Sequence, residues 1–172
     1  MDKIYAALES RSGEKIEIKK AAPRHAEQML ALEDRSIDPV TFARITREEM
    51  LESMEEDLVL AAFVGDKIVA LNIILRNRES DRSLAKDLGR DPREVATFDG
   101  VIVAPEYRGL GLQRIFLSLA EQTARDWGAK LISATVSAKN APSRNNFSRS
   151  GFTEIGEFPK YGSTRIIVTK EL

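Results

Sequence analysis

The segment between residues 95 and 136 constrains the fold of this chain more than any other part of the sequence. Residues 95–103 are mostly apolar and predict a buried strand, and residues 112–127 repeat apolar side chains at the spacing of a helix, which Gly128 ends. Residues 131–136 predict the next strand. A strand, a helix and a strand in this order form a right-handed crossover, and the two strands are parallel if they are neighbours.

Apolar segments on either side of this unit complete the predicted sheet. Residues 58–64 and 67–75 flank Gly65-Asp66 and predict an antiparallel hairpin. Further strands are expected at 16–18, 152–158 and 165–169, and further helices after Pro23, behind the Thr46-x-x-Glu49 capping box, and from Pro142 to Gly151. We therefore predict an α/β (α+β) chain, a single domain over residues 1–172 with a mixed central sheet of about seven strands flanked by about four helices.

Two segments lie outside this pattern. Residues 1–14 are expected to form a polar leader. Residues 76–93 are a polar break that is longer than a hairpin turn requires. This break predicts either an excursion with its own short helix or a mobile lid.

Composition excludes several classes of function. The chain has no cysteine, so disulfides, thiolate zinc sites and cysteine nucleophiles are absent, and its one histidine would have to carry any histidine-dependent triad. The net charge of −1 provides no general attraction to nucleic acid or to an anionic membrane. Residues 1–14 contain no apolar run of signal-peptide length, and no run approaches the roughly 20 residues of a membrane span. We expect a cytoplasmic protein with no metal, no nucleic-acid partner and no membrane association.

The turn between the strand at 95–103 and the following helix is a candidate anion site. The first N–H groups of a helix have no intrahelical partner and carry the positive end of the macrodipole. Gly109 and Gly111 permit close backbone approach, and Arg108 and Arg114 add charge, an arrangement that suits a phosphate or a pyrophosphate. From these residues alone, the alternative is that the glycines only make a tight turn. A dinucleotide fingerprint would require a third glycine where Arg114 stands.

Two motifs occur in order along the second half of the chain. The first is Val103-x-Pro105-x-Tyr107-Arg108-Gly109-x-Gly111, and the second is Asn140-x-x-Ser143-x-x-x-Phe147-x-x-x-Gly151-Phe152. Both resemble motifs of the GNAT N-acetyltransferase superfamily. Two positions depart from the family pattern: Gln113 stands where the family has Gly or Ala, and Phe147 stands where many relatives have tyrosine. The order of elements is similar to a GNAT-like fold from about residue 16 to residue 172.

The resemblance implies acetyl-CoA (coenzyme A) as cofactor and direct attack of a primary amine on the thioester, without an acyl-enzyme. It implies pyrophosphate binding by the backbone of residues 108–114, pantetheine pairing at the strand edge near Ile102, and polarisation of the thioester carbonyl by the Val103 N–H. Asn140 would bond the pantetheine amides with Ser143 beside it, and Arg144 or Lys139 would supply a further phosphate contact. The implied cofactor-binding set is Ile102, Val103, Arg108, Gly109, Leu110, Gly111, Leu112, Gln113, Arg114, Asn140, Ser143 and Phe147.

The proton-transfer groups are less determined. Asp99 interrupts an apolar strand and is the first candidate for the general base. Glu94 is a weaker candidate. The alternative is that Asp99 is only a strand-end residue whose carboxylate bonds to the backbone. Phe147 has no proton to give, so Tyr161 or a water is expected to protonate the thiolate. The remaining possibility is a non-catalytic acyl-CoA-binding sensor on the same fold.

The acceptor site is expected around residues 37–46, 76–93 and 160–163, and its charges select no particular substrate. The acceptor is a small-molecule or peptide amine. A homodimer is a family-level expectation.

Overall fold

One mixed sheet organises the chain in the computed structural model, which describes residues 1–39 and 42–172. Its strands are β1 (Ile4–Glu9), β2 (Lys15–Lys20), β3 (Leu58–Val64), β4 (Lys67–Leu75), β5 (Val95–Val103), β6 (Leu131–Ser137), β7 (Thr153–Lys160) and β8 (Ser163–Glu171). The helices are α1 (Ala26–Ser36), α2 (Arg47–Glu56), α3 (Leu112–Asp126) and α4 (Ala141–Arg149). The eight strands follow the order β1-β2-β3-β4-β5-β6-β8-β7.

The predicted fold class is confirmed. β5 and β6 are parallel, and the other neighbouring strands among the described residues are antiparallel. The crossover between β5 and β6 is α3, which buries Leu112, Phe116 and Leu117 on one face and so covers the centre of the sheet. α1 packs on β4 and β5, and α2 packs on β3 and β4.

The prediction of a polar leader over residues 1–14 is wrong, because this segment contains β1. β1 pairs antiparallel with β2, and Leu8 lies opposite Ile16. Only Tyr5, Ala6 and Leu8 reach the core from this edge strand, and all three are only partly buried. Residues 4–8 are all apolar and do not alternate with polar residues, so the period-two pattern of a half-buried strand is absent and the predicted strand count was one too low.

Residues 76–93 form an anchored excursion. Leu84 and Ala85 are buried, and Ala85 packs against Val95 and Leu131 beneath the sheet. The short helix expected in this segment is limited to a 3₁₀ turn at Pro92–Glu94. Apolar contacts therefore fix the middle of the excursion to the core.

None of the helices in the described part of the chain has the length and apolarity that a bilayer span requires.

The capping box that begins α2 is present. Thr46 Oγ1 accepts from the Glu49 N–H at 3.1 Å, and the Glu49 carboxylate accepts from the Thr46 N–H at 2.8 Å. Thr46→Ala removes the first of these bonds and is expected to lower the free energy of unfolding by about 1 kcal/mol in urea titrations. Glu55→Ala, at an exposed position of the same helix, is the control and should change stability by less than about 0.5 kcal/mol. Equal effects of the two substitutions would contradict the role of the cap.

Candidate active site

The site lies where β5 and β6 separate. The two strands pair only between residues 95–98 and 131–134. Beyond this point β5 continues on β4, and β6 continues on β8. The facing edges enclose a cavity of about 700 Å³, which reaches from the middle of β5 to the beginnings of α3 and α4.

The open edge of β5 has a defined set of backbone groups. Ala104 N–H donates to Val69 O of β4 at 2.8 Å. Because consecutive residues of a strand direct their backbone groups to opposite sides, the groups of Ile102 also face β4, whereas those of Val101 and Val103 face the cavity. The edge predicted near Ile102 and Val103 therefore consists of Val101 and Val103, and Val101 was missed by the sequence motifs.

A β-bulge places Asp99 at the cavity. Phe98 and Gly100 lie opposite the consecutive β4 residues Ile74 and Ile73, so Asp99 is the extra residue. The buried Asn72 side chain spans this irregularity, since its Nδ2 donates to Gly100 O at 2.7 Å. The bulge explains how a carboxylate can interrupt an apolar strand: its side chain lines the cavity instead of the core.

Asp99 is a poorly hydrated carboxylate that forms an ion pair with Arg82. Its side chain is 12 % exposed, and its Oδ2 lies 3.3 Å from Nη2 of Arg82. Burial raises the pKa of Asp99 to about 6, while the positive charge of Arg82 acts in the opposite direction. No backbone N–H of the described residues donates to this carboxylate, so Asp99 is not the backbone-bonded strand-end residue of the alternative interpretation. Near pH 7 it is mostly ionised, and it remains a stronger base than an ordinary aspartate.

Arg82 is a site residue that sequence reasoning missed. It comes from the excursion at 76–93 and is fixed to α2, where its Nη2 donates to Ser53 Oγ at 2.6 Å and its Nη1 to Glu49 O at 3.2 Å. The excursion contains several charged residues, and no pattern in it distinguishes Arg82 from the others. Only its tertiary contact with α2 identifies Arg82 as part of the site.

Tyr161 lies close to this pair but does not line the cavity. It occupies the β7–β8 turn with φ +54°, and about half of its surface is exposed. Burial raises the pKa of Tyr161 to about 12, and the charge of Asp99 adds to this shift. Its phenol therefore stays protonated at physiological pH. The Arg165 guanidinium lies 5.8 Å from the Tyr161 ring centroid and also borders the cavity.

The glycine turn offers a group of free backbone donors. Gly109 and Gly111 have φ +79° and +80°, and Gly111 is the N-cap of α3. The first N–H of this helix with a backbone partner is that of Ile115, which donates to Gly111 O at 3.0 Å. Among the described residues, no acceptor bonds the N–H groups of residues 109–114. Such a concave row of donors at a helix N-terminus suits a pyrophosphate.

The arginine of the first motif has another role. Arg108 Nη2 donates to Ser36 O at 2.6 Å, Nε donates to Val103 O at 3.2 Å, and its backbone N–H donates to Pro105 O at 3.3 Å. This side chain ties the end of β5 to the end of α1, and its charge is already engaged with two carbonyl groups.

Other cations surround the turn. The side chains of Arg114, Lys139 and Arg149 line the cavity and have no ion pair within the described residues. Arg144, the alternative to Lys139, instead donates to Glu154 at 2.8 and 3.0 Å and to Ala138 O. Lys139 is therefore the better candidate for a phosphate contact.

The second motif forms the opposite wall. Asn140 caps α4, since its Oδ1 accepts from the Ser143 N–H at 3.2 Å. Gln113 crosses from α3 to α4: its Nε2 donates to Ser143 Oγ and its Oε1 accepts from Asn146 Nδ2, both at 2.9 Å. Gln113, which stands where the family pattern has a small residue, thus joins α3 to α4 through two side-chain hydrogen bonds.

Phe147 forms part of the apolar floor. It is 3 % exposed, and it packs edge-on against Phe98 and Phe152 with ring centroids 5.9 and 5.2 Å apart. It borders the cavity and has no group that can exchange a proton.

The structure brings the predicted set together almost completely. Of the residues predicted to bind the cofactor, Leu110 alone does not line the cavity; it borders a neighbouring surface hollow that Arg114 and Arg149 share. Asp99 lines the cavity as well.

Comparison with known proteins identifies the fold and the family. A model described as the acetyltransferase (GNAT) family matches residues 25–152. The chain belongs to the GNAT acetyltransferase family. No curated protein matches the sequence.

Solved GNAT structures share the fold at low sequence identity. The GNAT domain of S. lividans PAT has a TM-score of 0.74 and 18 % identity, covering 97 % of this chain and 96 % of that chain. A Salmonella typhimurium protein solved with its cofactor acetyl-CoA has a TM-score of 0.73 and 19 % identity over 91 % and 94 %. The ribosomal-protein-alanine N-acetyltransferase of Brucella melitensis has a TM-score of 0.71 and 23 % identity over 90 % and 99 %.

Acetyl-CoA is the cofactor of the GNAT family, and the cavity of this GNAT chain fits it. The free N–H groups of residues 109–114 suit the pyrophosphate, and the open backbone edge at Val101 and Val103 suits an amide-bearing arm. The apolar floor at Phe147 can pack against the uncharged part of that arm.

A charge placed at Gly111 tests the assignment of the turn. No atom lies within 4 Å of the position of a Cβ on Gly111, so Gly111→Asp adds a carboxylate without a clash. Repulsion between that carboxylate and the pyrophosphate is expected to weaken coenzyme A binding by about a hundredfold or more in calorimetry.

Gly111→Asn is the matched control, because it has the same size and the same cost of positive φ without the charge. Its affinity should stay within a few-fold of the unsubstituted protein. Equal losses for both variants would show that backbone strain, and not charge, controls binding.

Proposed function

We propose that this protein is an N-acetyltransferase that transfers the acetyl group of acetyl-CoA to a primary amine by direct attack. The observation that carries the proposal is the position of Asp99. A bulge directs this buried carboxylate, with a pKa of about 6, into the same cavity as the free donors of the glycine turn. A basic group and an anion-binding turn in one cavity are what amine acylation by a phosphorylated thioester requires.

Binding residues orient the donor from both ends. The N–H groups of residues 109–114 hold the pyrophosphate, and Arg114 and Lys139 add charge at the rim. The backbone edge at Val101 and Val103 pairs with the pantetheine amides, and Asn140 offers its side-chain amide from the opposite wall. The Val103 N–H polarises the thioester carbonyl. Fixing both ends of a flexible cofactor supplies much of the rate enhancement, because the reacting atoms then stay close together.

When bound, acetyl-CoA would supply the acyl group: the amine nitrogen would bond to the carbonyl carbon, the carbon–sulfur bond would break, and the sulfur would leave with its electron pair. Asp99 accepts the proton that the amine loses. Tyr161, protonated because its pKa is about 12, donates a proton to the sulfur through a water, since its side chain lies outside the cavity lining. The proton on Asp99 later replaces the one that Tyr161 gave, so the protein returns to its starting state. Arg82 positions the Asp99 carboxylate throughout.

The wall available to the acceptor is mostly apolar. A Cβ on Gly100 would lie 3.3 Å from Ile45 Cδ1 and 3.8 Å from Phe42 Cζ, so both side chains lie directly over the bulge. Ile37 and Asp38 extend this wall. GNAT enzymes act on small-molecule or peptide amines. We propose that the amine of such an acceptor reaches Asp99 between this wall and Tyr161.

One observation favours a second candidate, a non-catalytic acyl-CoA-binding sensor. Phe147 occupies the position of the tyrosine that protonates the thiolate in many relatives, and it is buried among aromatic rings. Thiol release from acetyl-CoA, measured over a panel of amines, distinguishes the candidates. Turnover with any amine supports the transferase, whereas tight coenzyme A binding without turnover on every amine supports the sensor.

Asp99→Asn tests the general base. The amide keeps the shape of the side chain but cannot accept a proton, so turnover should fall by about a hundredfold or more above pH 6. In the unsubstituted enzyme, kcat/KM should fall as pH drops through about 6, because Asp99 becomes protonated. That acid limb should disappear in the variant, while coenzyme A affinity stays within a few-fold. An unchanged pH profile would remove Asp99 from the mechanism.

Arg82→Met tests the positioning residue. Removal of its charge takes away the larger of the two cationic interactions, with Arg82 and with Arg165, that oppose the effect of burial, so the acid limb of kcat/KM should move to higher pH and kcat should fall. Arg82→Lys keeps the charge and should keep the limb nearer its original pH. Lys86→Met removes an exposed cation from the same excursion and should leave the profile unchanged. A limb that does not move in Arg82→Met would show that Arg82 has only a structural role.

A further inference from the structure

The N-terminal hairpin reaches the glycine turn of the cofactor site. The link between β1 and β2 contains Arg11, whose guanidinium lies directly against Gly109. Arg11 Nη2 and Cζ lie 2.6 and 3.8 Å from the position that a Cβ on Gly109 would occupy. Gly109 in turn lines the cavity. The space that a side chain at Gly109 would fill is therefore taken by a cation from a distant part of the sequence.

Hydrogen bonds hold this hairpin link in place. Ser10 N–H donates to Glu14 O at 2.9 Å, and Gly13 N–H donates to Ser10 O at 3.0 Å. The Glu14 carboxylate accepts from Ser12 Oγ at 3.0 Å and from the Tyr107 hydroxyl at 3.3 Å. The last of these bonds joins the link to the segment just before Gly109. Arg11 is thus presented at a defined place.

The charge of Arg11 has no partner in the described part of the chain. No carboxylate or carbonyl group of residues 1–39 and 42–172 accepts a hydrogen bond from its guanidinium. It lies instead beside free N–H donors and the N-terminus of α3, where the macrodipole is positive and a cation is unfavourable. An arginine in such a place is stabilised when an anion bridges it and the donors.

We propose that Arg11 is a phosphate-binding residue that completes the pyrophosphate site of acetyl-CoA from the N-terminal hairpin. The ligand group is the pyrophosphate because Gly109 belongs to the turn of free donors. Arg11 lies outside residues 25–152, the part of the chain that the family model matches. The proposal depends on coenzyme A binding at this turn, as described under the proposed function.

Isothermal titration of coenzyme A into Arg11→Ala, Arg11→Lys and the unsubstituted protein tests this proposal. Arg11→Ala should weaken binding by about three- to tenfold, the range of an exposed charge-assisted contact, and the loss should shrink as salt is raised. Arg11→Lys should lose less, because it keeps the charge but not the planar fork. Arg24→Ala removes another exposed arginine that, like Arg11, does not line the cavity, but none of its atoms lies within 4 Å of the Cβ position at Gly109, and it should bind like the unsubstituted protein.

A second ligand and a stability measurement separate the other outcomes. 3′-Dephospho-coenzyme A keeps the pyrophosphate, so Arg11→Ala should weaken its binding by the same factor. A loss that disappears with this ligand would overturn the pyrophosphate assignment in favour of the 3′-phosphate. Unchanged affinity of Arg11→Ala, or a loss accompanied by a lower urea midpoint, would overturn the role of Arg11. Failure of the unsubstituted protein to bind coenzyme A would instead overturn the proposed function.

Discussion

The separation of β5 from β6 is the constraint on which the rest of the site depends. Where the two strands part, the backbone groups of Val101 and the N–H of Val103 lose the strand partner that a continuous sheet would provide, while Val103 O accepts from Arg108 Nε. Unpaired groups at a strand edge bind another extended chain readily, and the amide-bearing arm of the cofactor is such a chain. The same separation opens the volume that the ligand needs. One irregularity of the sheet therefore provides both the space and the hydrogen-bonding partners.

The chemistry depends on polar groups that the fold keeps away from water at some energetic cost. Asn72 supports the bulge with its amide nitrogen, yet within residues 1–39 and 42–172 its buried Oδ1 has no hydrogen-bond partner, and neither does the buried Nε of Arg82. Each such atom is destabilising by itself. Both belong to side chains that position the strand or the carboxylate at residue 99. Unsatisfied groups that hold a functional carboxylate in place are typical of sites where local stability is given up for geometry.

Sequence reasoning predicted the parts of the protein whose signals are local. α3 has a continuous apolar stripe, and the glycines before it require a special backbone, so both could be read directly from the chain. β1 was missed because its apolar residues do not alternate with polar ones, so the pattern of a half-buried strand is absent. Arg82 and Arg11 were missed because their roles arise from contacts with residues far away in the sequence. Arg108 matched a motif, but in the structure its guanidinium donates hydrogen bonds to two carbonyl groups.

The extent of the sheet has a consequence for how the protein can be divided. Residues 25–152 contain the motifs, but β1, β2, β7 and β8 all lie outside that range. Ile16 and Ile18 of β2 are fully buried, and β8 pairs with β6 along seven residues, from Leu131 to Ser137. A fragment cut at the limits of the family match would expose one edge of β3 and one edge of β6, with their apolar faces uncovered. Such a fragment is an aggregation hazard, because the part of the sequence that the family model matches is shorter than the sheet that covers these edges.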